Sequence, residues 1–337
     1  MTDVLGETGF EGPDGEALGR LARMPHLELG HYPTPLEEMS RLRHALGGGP
    51  RLLVKRDDTI PFGFGGNKVR KLPYVLAEAM AQGADTIITC GGVQSNHARA
   101  TTAAAVHLGL APVLVANGGP QDRPTGNALL VRLMGAEVHY VASREERSPR
   151  MEALAEEYRA RGRQPYIIPL GASTALGAMG FVRAVGELLD QAPSPDVIVH
   201  ACSSGGTQAG LAAGLALHGL ATPVIGISAD DPADAVLATV GATIAGIGEL
   251  LGREGPDVAA RCRIEVRDDC VGEGYGIPTA ASFEAQALAA RTEAIFVDHT
   301  YTAKALGALI DMVRTGRFHS DQTVLFWHTG GQVGLFT

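Results

Sequence analysis

The sequence predicts an α/β protein of two open, twisted sheets with flanking helices, the smaller unit inserted into the larger. Three observations carry this. Short runs rich in Val and Ile alternate with alanine-rich helical stretches, which is the rhythm of a parallel, doubly wound sheet. That rhythm completes itself once and then restarts. No low-complexity linker separates the halves, so an inserted unit fits better than two domains in tandem.

Taken in order, Thr86-Ile87-Ile88-Thr89 reads as a buried strand, followed by a helix from about Ser95 to Leu108. Pro112-Val113-Leu114-Val115 is the next strand, and a helix follows near residues 127–134. Glu137-Val138-His139-Tyr140-Val141 is a strand, 150–161 a helix, and Tyr166-Ile167-Ile168 a strand. The second round has a helix over 177–190, the strand Asp196-Val197-Ile198-Val199-His200, a helix over 207–218 and the strand Pro223-Val224-Ile225-Gly226-Ile227. A last strand, Val324-Leu325-Phe326-Trp327, runs into Thr329-Gly330-Gly331. Two such rounds imply a cleft between two sheets.

Composition narrows the function. The 337 residues are 45% hydrophobic and 19% charged, enough for a large core and two domains. A net charge of −9 argues against a nucleic-acid partner, which needs a basic face. No apolar run reads as long enough to span a membrane, and the acidic, glycine-rich N-terminus lacks the pattern of a targeting signal. The cysteines Cys90, Cys202, Cys262 and Cys270 form no C-x-x-C pair, so no metal site is expected. Cys90 and Cys202 end apolar runs and read as buried, reduced thiols, hence a cytoplasmic protein.

Only four of the 28 basic residues are lysines: Lys55, Lys68, Lys71 and Lys304. A chain that draws its positive charge from arginine keeps lysine where an amine is needed, because an amine can deprotonate and form a Schiff base. Lys68 follows two glycines in Gly65-Gly66-Asn67-Lys68, which let backbone approach a bound group. The run ending in Cys202 leads through Ser203-Ser204-Gly205-Gly206-Thr207 straight into a helix. Strand, Gly/Ser/Thr loop and helix N-terminus make an anion site, unless Ser204 or Thr207 is only a helix cap. Neither Walker A nor G-x-G-x-x-G is present there, and a phosphate monoester held without a cation fits the loop. Gly91-Gly92-Val93-Gln94-Ser95-Asn96-His97 sets a polar cluster at another strand end, again with simple capping by Ser95 or Asn96 as the plainer reading. It is not a G-x-S-x-G elbow, which disfavours a serine hydrolase. Tyr275, flanked by glycines, and Tyr301 sit in loop-like contexts suited to acid–base or orienting roles. A lysine, a phosphate cup, a carboxylate cup and paired tyrosines are together the parts of an enzyme using pyridoxal 5′-phosphate (PLP) on an amino acid.

Thr34-Pro35-Leu36, Lys55-Arg56-Asp57-Asp58, Gly65–Leu72, Gln94–His97, Gly177–Gly180, Ser204–Thr207, Gly274–Pro278 and the Tyr301 and Thr329–Gly331 segments resemble the D-cysteine desulfhydrase / 1-aminocyclopropane-1-carboxylate (ACC) deaminase family. Order and spacing hold from about Leu29 to the C-terminus. The resemblance implies a fold type II PLP enzyme, a homodimer acting on a small amino acid, with Lys68, Ser95, Tyr275 and Tyr301 catalytic. It implies that Lys68 carries PLP, that Asn96 bonds the ring hydroxyl, that Ser204, Gly205, Gly206 and Thr207 hold the phosphate, and that Thr329 meets the pyridine nitrogen. Gln94, Ser95, Asn96 and His97 would bind substrate. ACC deaminases follow the second tyrosine with a glutamate that reaches the pyridine nitrogen, whereas Tyr301 is followed by Thr302. A neutral hydroxyl from Thr329 leaves a shallower electron sink, enough to expel a thiol, so the resemblance favours D-cysteine desulfhydration over ring opening or a lyase for cysteate. The chain departs from the family at His299, Thr279-Ala280 and Gln332, which are expected beside the substrate. The expected division is a flexible extension over 1–20, a large PLP-binding domain over 21–66 and 181–337, and a small domain over 67–180.

Overall fold

The computed structural model describes residues 14–337. Ten strands and twelve α-helices are present among them, in the order α1 (Gly15–Arg23), β1 (Leu36–Glu38), α2 (Ser40–Ala45), β2 (Arg51–Arg56), α3 (Asn67–Ala81), β3 (Thr86–Gly92), α4 (Asn96–His107) and β4 (Ala111–Asn117). Next come α5 (Gly126–Leu133), β5 (Glu137–Val141), α6 (Arg147–Ala160), β6 (Pro165–Ile168), α7 (Ala175–Gln191), β7 (Val197–Cys202), α8 (Gly206–Leu217) and β8 (Val224–Ser228). The chain ends with α9 (Ala233–Leu250), α10 (Gly255–Arg261), β9 (Ile264–Arg267), α11 (Ala280–Glu293), α12 (Thr302–Arg314) and β10 (Thr323–His328).

The strands form two sheets. One has the order β1-β2-β10-β7-β8-β9, the other β5-β4-β3-β6. Every pairing is parallel except β1 with β2. Central strands of such a sheet are covered on both faces and need continuous apolar runs. Val197–Cys202 is buried at every position, and its neighbour β10 at all but Thr323. Each strand of the two rounds read from the sequence is present. The sequence signals did not resolve β1, β2, β9, helices α1 to α3 or helices α9 to α11, whereas a helix opening at residues 298–304 was expected and is α12. Arg51-Leu52-Leu53-Val54-Lys55-Arg56 hides its strand by ending in two basic residues, because Lys55 turns into a buried ion cluster.

Two expectations need correction. Residues 14–20 are not a flexible extension. Asp14 accepts ion pairs from Arg253 and Arg261, and Ala17, Leu18 and Leu21 of α1 bury into the large core. The rest of that expected extension lies outside the described residues. In addition, α9 is 18 residues long and apolar enough by composition to cross a membrane. Val236, Val240, Ile244 and Ile247, spaced three and four apart, instead pack into the same core.

The helix α3 joins the sheets and carries Lys68, Arg70 and Lys71. Helical spacing puts positions 68 and 71 on one side and 70 on another. Gly180 of α7 lets the two helices approach, since a Cβ there would lie 1.9 Å from the Arg70 carbonyl oxygen. The Arg70 guanidinium grips Asp57 in a two-point bond (2.7 and 2.8 Å) and Glu187 of α7 (2.8 and 3.0 Å). Trp327 Nε1 donates to the same Asp57 at 2.8 Å, and Lys55 lies 2.5 Å from Glu187. Burial opposes ionisation of Glu187, but the hydrogen bonds and charge of Arg70, with Lys55, outweigh it and bring the carboxyl from 4.5 down to about 2. The native value lies below the unfolded one, so this stability is present above pH 4.5 and is lost as pH falls towards 2. Wild type is therefore expected to lose more unfolding free energy than Glu187→Gln over that window, measured by urea titration at successive pH values. Equal acid slopes would exclude the linkage.

Candidate active site

The C-terminal ends of β3, β7 and β10 converge on a cavity of about 320 Å³, where ligands bind open α/β sheets. Lys68, Ser95, Asn96, His97, Ser204, Gly205, Thr207, Tyr275, Tyr301 and Thr329, all singled out from the sequence, line it together.

Lys68 makes no ion pair and is partly exposed on the cavity side; loss of water brings its ammonium from 10.5 down to about 8. None of the four lysines is freely solvated. Lys55, Lys71 and Lys304 are buried, and Lys304 donates to the carbonyls of Val271 (2.7 Å) and Gly274 (3.0 Å), which holds the loop presenting Tyr275.

At the start of α8 the N-cap is Gly205, in the left-handed region at φ 76°, and no side chain caps the helix. The plainer reading of Ser204 or Thr207 as a cap is therefore excluded, and the helix end is left to an anion. Thr207 Oγ1 accepts from Asn67 Nδ2 at 3.0 Å, and Ser204 shares a 2.8 Å bond with Ser173. The loop was expected to work without a lysine, and one stands beside it, its ammonium held well below the usual range by burial and by the nearby Lys68. Lys71 Nζ donates to Ser173 Oγ (2.9 Å) and the Gly171 carbonyl (3.2 Å), and a Cβ on Gly206 would stand 2.9 Å from it. Any side chain at 206 would fill the cradle. Lys71 carried the same signal as Lys68, a lysine in an arginine-rich chain, but its place beside a loop more than 130 residues away is a tertiary fact.

At the start of α4, Ser95 Oγ accepts from Ala98 N at 3.2 Å and is the N-cap, so its proton remains free to donate into the cavity. Asn96 Oδ1 accepts from Arg99 (3.1 Å) and from Asn127 Nδ2 (2.9 Å). Arginine offers only donors, so the amide orientation is determined, and Nδ2 is the group left for a ligand. Two residues do not match their expected roles. Gln94 is absent from the cavity wall: its Oε1 accepts from Asn127 N (2.9 Å) and its Nε2 donates to Thr125 O (3.2 Å), which ties it to the start of α5. His97 lines the cavity, but both ring nitrogens bond threonine hydroxyls, Thr89 at 2.8 Å and Thr101 at 3.3 Å. Burial keeps it neutral, so it has no polar atom for a substrate.

Tyr275 and Tyr301 share a hydroxyl–hydroxyl bond of 2.5 Å, with rings edge to face at 5.7 Å. Burial, with Tyr275 alongside, holds Tyr301 well above the usual phenol range, so it stays protonated at neutral pH. Asp298 sets Tyr301 in place by accepting from the backbone N–H groups of 300, 301 and 302 at 2.9 to 3.1 Å. Thr302 is fully buried with its hydroxyl on Asp298 at 2.7 Å, so residue 302 does not face the cavity. Thr329 does, and its carbonyl accepts from Asn67 N at 2.9 Å. The departures expected beside the substrate are also outside the cavity wall. Thr279 caps α11 in a capping box with Ser282, Gln332 donates to the Asp58 carbonyl at 3.2 Å, and His299 does not line the site. The one carboxylate on the described wall, Asp230, is paired with Arg144 at 2.7 Å.

A lysine facing an uncapped helix N-terminus, with a second lysine beside that terminus, fits the site of a PLP enzyme. The match to the family model "Pyridoxal-phosphate dependent enzyme" spans residues 27–330, and the chain belongs to that family. Its cofactor is pyridoxal 5′-phosphate. The chain is 38% identical over 328 residues to a D-cysteine desulfhydrase of Klebsiella pneumoniae (strain 342), covering 95% of this chain and 98% of the relative. The same figures hold for a D-cysteine desulfhydrase of Salmonella typhi. A crystal structure of an ACC deaminase homologue superposes with a TM-score of 0.86 at 35% identity, covering 97% of both chains. A maize serine racemase, 21% identical with a TM-score of 0.64, covering 95% of this chain and 92% of that one, shares the fold.

Proposed function

We propose that this protein is a PLP-dependent β-eliminating lyase that converts D-cysteine and water to pyruvate, hydrogen sulfide and ammonia. The observation that carries the reading is the cavity wall, where Lys68, an uncapped α8 with Lys71, and a polar α4 terminus face one another. Lys68 would hold the cofactor. Gly205, Gly206, Ser204, Thr207 and Lys71 would hold its phosphate, Asn96 Nδ2 its ring oxygen, and Thr329 its pyridine nitrogen. When bound, PLP supplies the electron sink that makes the substrate Cα–H acidic.

Lys68 would take the Cα proton, and its lowered basicity keeps a useful share of neutral amine near pH 8. Ser95 Oγ donates to the substrate carboxylate. Tyr301 and Tyr275 keep their protons and hydrogen-bond the departing sulfur. Thr329 presents a neutral hydroxyl, and no unpaired carboxylate lines the described wall, so the sink stays shallow. That suits a thiol leaving group and not an unactivated cyclopropane ring. The names of the curated relatives support the same substrate. We also propose a cytoplasmic homodimer without nucleic-acid or membrane partners, in keeping with four free cysteines and the net charge of −9. The division at 67–180 is proposed as the small domain, because β3 to β6 all fall within it.

A panel of D-cysteine, L-cysteine, ACC and cysteate, followed by 2-oxo acid release, tests the substrate. D-Cysteine is expected to give the highest kcat/KM, with ACC at background. Product from ACC alone would overturn the argument from Thr329.

A further inference from the structure

Arg99 sits on α4 one turn after Asn96 and is 1% exposed. Its guanidinium donates to Asn96 Oδ1 and Asn127 Oδ1, both at 3.1 Å, and to the Gly65 carbonyl at 2.8 Å. Its Nε has no hydrogen-bond partner, and no carboxylate pairs with it among the described residues. Arg70, equally buried, is neutralised by Asp57 and Glu187. Burying an unpaired charge is expensive, and proteins retain one where something else balances it. Burial lowers the Arg99 guanidinium to about 10, so it remains charged at neutral pH.

What the charge faces follows from the chain of donors. The guanidinium polarises Asn96 through Oδ1, and that same amide turns Nδ2 into the cavity, where a Cβ on Gly331 would lie 3.4 Å from it. We propose that Arg99 is a positioning residue that acts through Asn96 as the buried counter-charge to the ring oxygen of the bound cofactor. This rests on the assignment of Asn96 made above. The bond to Gly65 gives Arg99 a second tie, because Gly65 lies three residues before Lys68 in the turn that leads into α3.

A positive charge on the ring-oxygen side favours the more negative, deprotonated state of the bound cofactor and lowers the pH at which its visible absorption changes. Removing that charge raises the midpoint. The experiment titrates the visible spectrum of the PLP-loaded protein against pH, with circular dichroism to verify folding. Arg99→Gln is expected to raise the midpoint by about one unit, the scale of a single charge at this range. Arg99→Lys keeps the charge and is expected to stay near wild type. In an Asn96→Ala background, Arg99→Gln is expected to add little, because the relay is already cut. If Arg99→Gln does not fold, Asn127→Asp sets a carboxylate against the guanidinium in place and is expected to raise the midpoint likewise. An unchanged midpoint in folded Arg99→Gln or Asn127→Asp, with Asn96→Ala shifted, overturns the role of Arg99. An unchanged midpoint in Asn96→Ala overturns instead the assignment of Asn96. A purely structural Arg99 would alter thermal stability and cofactor occupancy and leave the midpoint where it is.

Discussion

Lys68→Ala is expected to lower turnover on the order of 10⁴-fold, because in the proposed reaction one side chain would supply both the cofactor linkage and the Cα base. The cavity offers no substitute. Lys71 is bonded to Ser173 and Gly171, both nitrogens of His97 bond threonines, and Tyr301 is held protonated. Lys68→Arg is expected to be as inactive, since a guanidinium neither forms the linkage nor deprotonates. Release of 2-oxo acid measures the rate. Borohydride reduction followed by peptide mapping is expected to fix PLP on Lys68 in wild type and nowhere in the variant. Activity within tenfold of wild type in Lys68→Ala would exclude it as the base.

Arg70→Met carries the largest expected cost to stability, about 3–5 kcal/mol. The variant leaves Asp57 at full burial with the side chains of Trp327 and Thr34 as donors, and leaves Glu187 with Lys55 and the Thr34 backbone N–H. Breaking a buried pair costs more than the pair ever contributed, because the remaining carboxylate stays out of water. The midpoint of urea unfolding measures the loss. Double replacement of Arg70 and Asp57 by apolar residues is expected to recover part of it. A loss below about 1 kcal/mol, the range of surface pairs, would show that water reaches the cluster. The same variant is expected to weaken PLP retention, because Arg70 anchors the helix that presents Lys68 and Lys71.

The two sheets were legible because parallel strands covered on both faces require unbroken apolar runs, and Val197–Cys202 and Val324–His328 show such runs directly. The first turns of α4 and α8 were legible for a related reason: glycine and hydroxyl residues concentrate where a strand end meets a helix end. β2 was not, because Lys55 looks solvated until Glu187, distant in the chain, is found beside it. Nor was α9, whose small exposed residues hide its buried stripe. The roles of Gln94 and His97 were misread because adjacency in Gln94-Ser95-Asn96-His97 suggests one shared surface. The turn into α4 points Gln94 towards α5 and the ring nitrogens of His97 onto the hydroxyls of Thr89 and Thr101. Thr302 lies one helical step beyond Tyr301, which carries it away from the cavity and onto Asp298.

By itself the sequence pointed to the chemistry: a rare lysine after two glycines, a glycine and hydroxyl turn entering a helix and a pair of loop tyrosines, because these depend on residue type and local backbone. Tertiary structure alone decided which groups share the cavity. Lys71 reaches the α8 turn, Arg99 backs Asn96 without a counter-ion, and Tyr275 meets Tyr301 only because elements far apart in the chain are packed together. Local sequence specifies what a side chain can do. Its partners, and with them its charge state, are set by burial and by neighbours that only the packed fold supplies.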